Sequence, residues 1–205
     1  MVRDTRRTMI LTAVEVLRER GAGGLTIEEV LLRSGTPKGS VYHHFPGGRQ
    51  ELLDSALTTA GNAIAALLDR AATDGAEAVL DEFTRMWRRI LIDSEYTAGC
   101  PVLSVAVSGT ESADLVDKAG EFFTRWTAAL TNAFVAEGIA ADAARQLAML
   151  SLSAIEGAVV MCRTNRGIEP LENAVKQLQT LINCHRFARD NFRGFAVGHR
   201  LWLGP

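Results

Sequence analysis

The sequence predicts an all-α protein, and three observations carry that prediction. Of its 205 residues 47% are hydrophobic, rich in Ala and Leu, with five prolines and few of the β-branched runs that strands need. Apolar side chains recur every three to four residues through one segment after another, the spacing of a helix with one buried face. Residues suited to capping and breaking helices separate those segments, which divides the chain into about nine helices. A chain of 22.2 kDa is long enough to bury a sizeable core, as one large domain or two small ones.

The first helix is expected over residues 4–21, with Asp4 or Thr5 as its cap, Ile10, Ala13, Val14 and Leu17 as its stripe, and Gly21, Gly23 and Gly24 ending it. Thr26 is a good N-cap for the second. Glu29, three residues on, can close the reciprocal hydrogen bonds of a capping box. Ile27, Val30 and Leu31 form the buried face of this helix, and Ser34-Gly35-Thr36 interrupts the pattern with a glycine suited to a left-handed turn. Thr36 can then cap a third helix, with Pro37 at its first position and an end near His44.

Two short helices around a tight turn, ending in basic and aromatic residues, read as a DNA-binding helix-turn-helix. The exposed face of the second carries Lys38, Ser40, Tyr42, His43 and His44, and the small residues Gly39 and Ser40 let a large partner come close. Such a helix enters the major groove by its N-terminal part, with phosphate contacts fixing its orientation. Lys38, Tyr42 and His44 suit backbone positioning, while Thr36, Pro37, Gly39 and Ser40 suit approach to bases. The local pattern also describes a helical hairpin with a solvated polar face. Charge favours the first reading: residues 1–50 hold eight Lys and Arg against five Asp and Glu, a net of +3, whereas the remainder nets −5.

Pro46-Gly47-Gly48 makes a turn before a fourth helix, expected over 48–72, whose stripe from Leu52 to Leu68 is long enough to touch two domains. Arg49 stands at its start, where free backbone N–H groups beside a guanidinium would clamp a phosphate. A fifth helix follows over 76–93, with Phe83, Met86 and Trp87 apolar and Arg85, Arg88 and Arg89 mostly opposite. After the break from Thr97 to Pro101 come a short helix at 102–107 and a long one at 112–137 bearing Phe122, Phe123 and Trp126. The eighth, over 141–165, is apolar on several sides and must be buried from more than one direction. The ninth, over 170–191, carries Leu171, Val175, Leu178, Leu181, Ile182 and Phe187. Residues 193–205 show two aromatics among glycines and no helical period, and no function is assigned to them.

Aromatic helices with small residues between them can enclose a cavity. Phe83, Met86, Trp87, Tyr96, Phe122, Phe123, Trp126, Ser153, Glu156 and Met161 are its candidate lining, although aromatics at helical spacing more often form packed core. Glu156 stands out because an unpaired carboxylate in an apolar helix is costly. It needs an Arg, a ligand or water, or else must face solvent or a cavity.

Cys100, Cys162 and Cys184 are far apart and odd in number, which supports neither a disulfide framework nor a zinc site; buried small hydrophobes are the reading for all three. No G-x-S-x-G, phosphate-binding glycine loop or His/Glu metal constellation occurs, so a helical enzyme is the weaker alternative, and neither cofactor nor metal is expected. No segment reaches the roughly eighteen continuous apolar residues of a membrane span, and the Arg-rich start lacks a signal core, so a cytoplasmic protein is expected.

The run G-T-P-K-G-S-V-Y-H-H-F followed by P-G-G-R-Q-E-L-L resembles the turn, recognition helix and fourth-helix start of the TetR family. G-C-P-V at 99–102, S-A-I-E-G-A at 153–158 and C-R-T-N-R-G-I-E-P-L at 162–171 resemble its LmrA/YxaF-like branch. The resemblance implies a homodimeric, ligand-responsive repressor, with a three-helix DNA-binding domain (1–47), a ligand-binding and dimerisation domain (48–192) and a tail (193–205). It implies that the fourth helix connects the two, that the last two helices pair with their symmetry mates, and that Arg3, Arg6 and Arg7 sit where a basic arm reaches DNA. The partners would be a double-stranded palindromic operator and a small apolar or aromatic effector. The remaining alternative is a TetR-like scaffold acting through a protein partner.

Overall fold

The computed structural model describes residues 4–198, and the described residues form nine α-helices, two single 3-10 turns and no strand. The helices are α1 (Thr5–Arg20), α2 (Ile27–Ser34), α3 (Ser40–His44), α4 (Gly48–Ala71), α5 (Ala76–Asp93), α6 (Pro101–Ala106), α7 (Ala113–Ala136), α8 (Ala141–Asn165) and α9 (Glu169–Gly198). Boundaries agree with the sequence expectation to within a few residues except at α3 and at the end of α9.

Local chemistry explains most ends. The Asp4 carboxylate accepts from the Arg7 N–H at the start of α1, and the Thr26 hydroxyl accepts from the Glu29 N–H at the start of α2. The second half of the expected capping box is replaced: Glu29 turns its carboxylate to Arg20 and Arg33, which knit α2 to α1. Gly35 closes α2 at φ 64°, and its N–H bonds to the Leu31 carbonyl. Thr36 does not cap α3, because its hydroxyl is bonded to that of Ser34 at 2.6 Å. Pro37 opens a turn instead, accepting from the Ser40 N–H, so α3 begins only at Ser40. Helix α9 continues through Gly198, beyond the expected end, since no proline interrupts its ladder there. Residues 199–205 and Arg3 lie outside the described residues.

α1 packs against both α2 and α4, Val41 of α3 and the adjoining Phe45 join the same core, and α4 continues across α5, α6 and α7, while α8 lies between α7 and α9. One hydrophobic core runs through the whole assembly, from Met9 and Leu17 through Phe45, Leu53 and Leu57 to Trp87, Trp126 and Val159. α8 is long and apolar enough to cross a membrane by length and composition alone, but half of that stretch is buried against its neighbours.

The crossing of α4 over α7 is tight. A Cβ at Gly61 would stand 2.5 Å from the Phe122 ring, and the Gly61 carbonyl accepts from the buried Trp126 indole N–H at 3.2 Å. Gly61→Ala is therefore expected to destabilise the protein by about 1–3 kcal/mol in urea unfolding, the helix-propensity gain of alanine notwithstanding.

Candidate nucleic-acid interface and ligand cavity

The face built on α3 depends on two anchors. Val41 and Phe45, one helical turn apart, are fully buried and fix the short helix against the core. The opposite side is thereby presented to solvent: Pro37, Lys38, Gly39, Tyr42 and His43 are exposed, and Ser40 and His44 are half-buried. Tyr42 shows 63% of its surface. The Ser40 hydroxyl donates to the Pro37 carbonyl at 2.6 Å, so it meets a partner as an acceptor. Thr26 lies exposed at the start of α2, and Arg6 stacks over the Phe45 ring with its guanidinium 5.1 Å from the centroid. Lys38, Tyr42 and His43 are thus all open to solvent, Lys38 from the turn before α3 and the other two from the helix. His43 and His44 meet edge to face, and no group of three metal-ligating side chains occurs among the described residues.

Arg49 does not join that face. Its Nε donates to the Leu25 carbonyl at 2.8 Å and its Nη2 to the Ala22 carbonyl at 2.7 Å, while both Nη atoms grip the Glu111 carboxylate. The expected phosphate clamp is absent for a second reason: the Glu51 carboxylate already accepts from the Gly47 N–H at the start of α4. The buried Leu25 carbonyl at the end of the 3-10 turn needs a donor, and the planar guanidinium supplies it while adding a second bond to the Ala22 carbonyl, which also accepts from the Leu25 N–H. The hydrogen bonds to Glu111 raise the Arg49 pKa above its ordinary value. Arg49→Lys should lower stability by about 2 kcal/mol in chemical unfolding, because one ammonium cannot reproduce the fork.

A cavity of about 690 Å³ lies between α6, α7 and α8. Of the candidate lining it brings together Phe123, Ser153 and Glu156. Phe83, Trp87 and Trp126 are instead fully buried core, packed too completely to leave room beside them. Phe122 is lodged over Gly61, Met86 and Tyr96 are half-buried against the core, and Met161 lies exposed on the outer side of α8 beside a shallow groove to α9. The walls that the sequence reading missed are Leu103, the Thr127 and Thr131 ladder one turn apart on α7, and Met149 and Leu152 on α8. The i, i+4, i+8 series Phe123, Thr127, Thr131 was a readable signal for one polar-edged face.

Glu156 is 5% exposed, and its carboxylate oxygens have no cationic partner and no hydrogen-bond donor other than the facing Cys100 thiol. Burial pushes its pKa from 4.5 up to about 7, an effect the facing Cys100 thiol offsets in part. The Cys100 thiol is itself driven well above its ordinary range, by burial first and by the Glu156 charge second. Cys162 is buried as expected, but Cys184 is exposed on α9 and is not a core residue. Between pH 4.5 and 7 the folded protein retains a Glu156 proton that the unfolded chain has lost, so this group's contribution to stability falls as pH rises through that window. Glu156→Gln should accordingly gain on the wild type by about 3 kcal/mol between pH 4 and pH 8 in paired unfolding titrations.

Comparison with known proteins agrees with this architecture. Residues 10–56 match the bacterial regulatory proteins of the tetR family, and residues 76–177 match the C-terminal domain of LmrA/YxaF-like transcriptional regulators. The uncharacterised HTH-type transcriptional regulator Rv0196 of Mycobacterium tuberculosis is 37% identical over 183 residues, covering 86% of this chain and 93% of the relative. YxaF of Bacillus subtilis, also an uncharacterised HTH-type transcriptional regulator, is 28% identical over 87% of this chain and 95% of its own. A crystal structure of the regulatory protein TetR from Rhodobacter sphaeroides superposes with a TM-score of 0.75 at 23% identity, covering 84% of this chain and 95% of that one, which bears on the fold alone.

Proposed function

The chain belongs to the TetR family of transcriptional regulators, and from that premise we propose that it is a dimeric repressor released from a palindromic operator by a small apolar or aromatic effector. The observation that supports the DNA half is the exposed surface around α3, where Lys38 in the preceding turn and Tyr42 and His43 on the helix are open to solvent while Val41 and Phe45 are buried. Thr26, Thr36, Pro37, Gly39, Ser40 and His44 border that side and contact backbone or bases with it. Arg6 and Arg7 add charge at the start of α1. Arg49 acts by holding the unit in place rather than by touching phosphate.

Dimerisation through α8 and α9 is supported by apolar residues left in solvent. Leu150, Met161 and Leu181 are 48%, 55% and 39% exposed, and Leu150, Ala154, Gly157 and Met161 fall on one stripe of α8. The effector site is the cavity between α6, α7 and α8, in a ligand-binding domain that begins with α4. The loop before α6 supports coupling of the two sites: Cys100 faces Glu156, the adjacent Gly99 N–H donates to the Arg18 carbonyl at 2.7 Å, and Arg163 of α8 donates to the Glu19 carbonyl at 3.1 Å. An effector that shifts α8 therefore acts on the end of α1, which supports the DNA-reading unit. The protein works in the cytoplasm on this reading.

Mobility-shift titration against the protein's own upstream region tests the proposal. The wild type should prefer that duplex to random sequence at moderate salt, and Lys38→Ala or Tyr42→Ala should weaken binding about tenfold or more with fold and dimer intact. Absence of any sequence preference would remove the regulator reading in favour of a protein partner.

A further inference from the structure

The chemistry of the cavity wall narrows what can occupy it. Thr124, Thr127 and Thr131 each donate their hydroxyl proton to the carbonyl four residues earlier, to Gly120, Phe123 and Thr127, at 3.0, 2.8 and 2.8 Å. Those oxygens have acceptor capacity left and no proton to give. Glu156 adds two carboxylate oxygens, buried and without a cationic partner, in the same wall. Arg145, the cation that lines the cavity, is paired with Asp142 at 3.3 Å, and both side chains are largely exposed to solvent. Leu103, Phe123, Met149 and Leu152 supply an apolar body around these acceptors. Ser153 and Asn132 add a hydroxyl and an amide that can donate, so the site offers oxygen acceptors and two neutral donors on apolar walls, and its most buried titratable group is a carboxylate with no cationic partner.

We propose that this cavity takes a hydrophobic organic cation, a flat apolar amine whose ammonium group lies against Glu156. The proposal rests on the effector-cavity reading above and specifies its ligand class. A buried carboxylate without a partner is costly, and a cation delivered by the ligand removes that cost while the apolar body fills the space between α7 and α8. A neutral ligand leaves the charge without a counter-ion or forces Glu156 to keep its proton. The volume accommodates an organic molecule of several fused rings.

A matched pair of probes tests this on the full-length protein by titration calorimetry: anthracen-9-ylmethylamine against anthracen-9-ylmethanol, which share the ring system and differ in the charged group. At pH 8 the amine should bind with one site per chain and at least about tenfold more tightly than the alcohol. Lowering the pH to 6 should weaken the amine about tenfold, because Glu156 titrates near 7, and leave the alcohol unchanged; the facing Cys100 thiol, driven well above its ordinary range, stays protonated throughout. Glu156→Gln should abolish the preference while still binding the alcohol and melting cooperatively, which separates loss of charge from loss of fold. Equal binding of the two probes, failure of both to bind, or a preference that survives Glu156→Gln overturns the proposal. Mobility shifts run in parallel separate the two readings. Loss of operator preference with the amine preference intact refutes the regulator and spares the cavity assignment, whereas intact operator binding with no amine preference refutes this proposal alone.

Discussion

The position of the DNA-reading unit depends on one guanidinium. Arg49 satisfies the carbonyls of Ala22 and Leu25, which end the connection between α1 and α2, and closes a two-pronged ion pair with Glu111 just before α7. Two segments far apart in sequence, the turn at 22–25 and Glu111, are thereby held to the first turn of α4. The Glu111 side chain is 2% exposed, so this is not the weak surface pairing typical of exposed charges: without the guanidinium a carboxylate and the Leu25 carbonyl would be left without a donor, whereas the Ala22 carbonyl keeps the Leu25 N–H. The ion pairs of Arg33 with Glu19 and of Arg20 with Glu29 are more open to solvent and add alignment between α1 and α2 more than stability.

From that anchor α4 carries orientation into the second half of the molecule, and α7 receives it. Successive residues of α7 serve different neighbours. Phe122 and Trp126 lock onto Gly61 of α4, while Phe123, Thr127 and Thr131 face the cavity. A helix advances about 100° per residue, so one rigid element presents a wall to a ligand and a brace to the connecting helix at once. The close approach at Gly61 makes that brace stiff, since the packed rings allow little sliding. A ligand that presses on the Phe123 face therefore presses on the α4 contact as well.

Sequence pattern alone was enough for the helices, because each has a periodic buried stripe and most have a chemical stop. It was enough for the exposure of Tyr42 too, since Val41 and Phe45 at i and i+4 turn the other sides of α3 to solvent. It failed where long-range partners decide. Nothing near Arg49 points to Glu111, 62 residues away, and nothing near Thr36 reveals that its hydroxyl prefers Ser34 to the turn that follows. The cavity was half legible for a similar reason: Glu156 was conspicuous as a carboxylate in an apolar helix, whereas aromatic content pointed to Phe83, Trp87 and Trp126, which are the largest side chains and so fill the core first. The walls of the cavity are made by smaller residues, threonines above all, whose hydroxyls can bond back to their own helix and so be tolerated either inside or out.

Glu156 remains a cost that the fold carries when empty. A glutamine or leucine there would satisfy the helix and the packing better, and proteins hold such strained or unpaired groups chiefly where a site uses them. The placement gives the cost a direction. Glu156 faces Cys100 at the cap of α6, the neighbouring Gly99 is bonded to the last turn of α1, and Arg163, two turns along α8, is bonded to Glu19. Relief of the buried charge is thus released at the junction where α8 and the loop before α6 hold α1. Stabilising one arrangement of that junction selects one orientation of the helices stacked upon it, and the free energy available for the selection is bounded by the differential affinity of the ligand for the two arrangements. An effector that engaged only the apolar walls would gain affinity from either arrangement alike, whereas pairing with Glu156 depends on where α8 stands relative to Cys100. On the proposed reading, the carboxylate is therefore the group that would convert occupancy of the cavity into a preference between orientations of the helix-turn-helix unit.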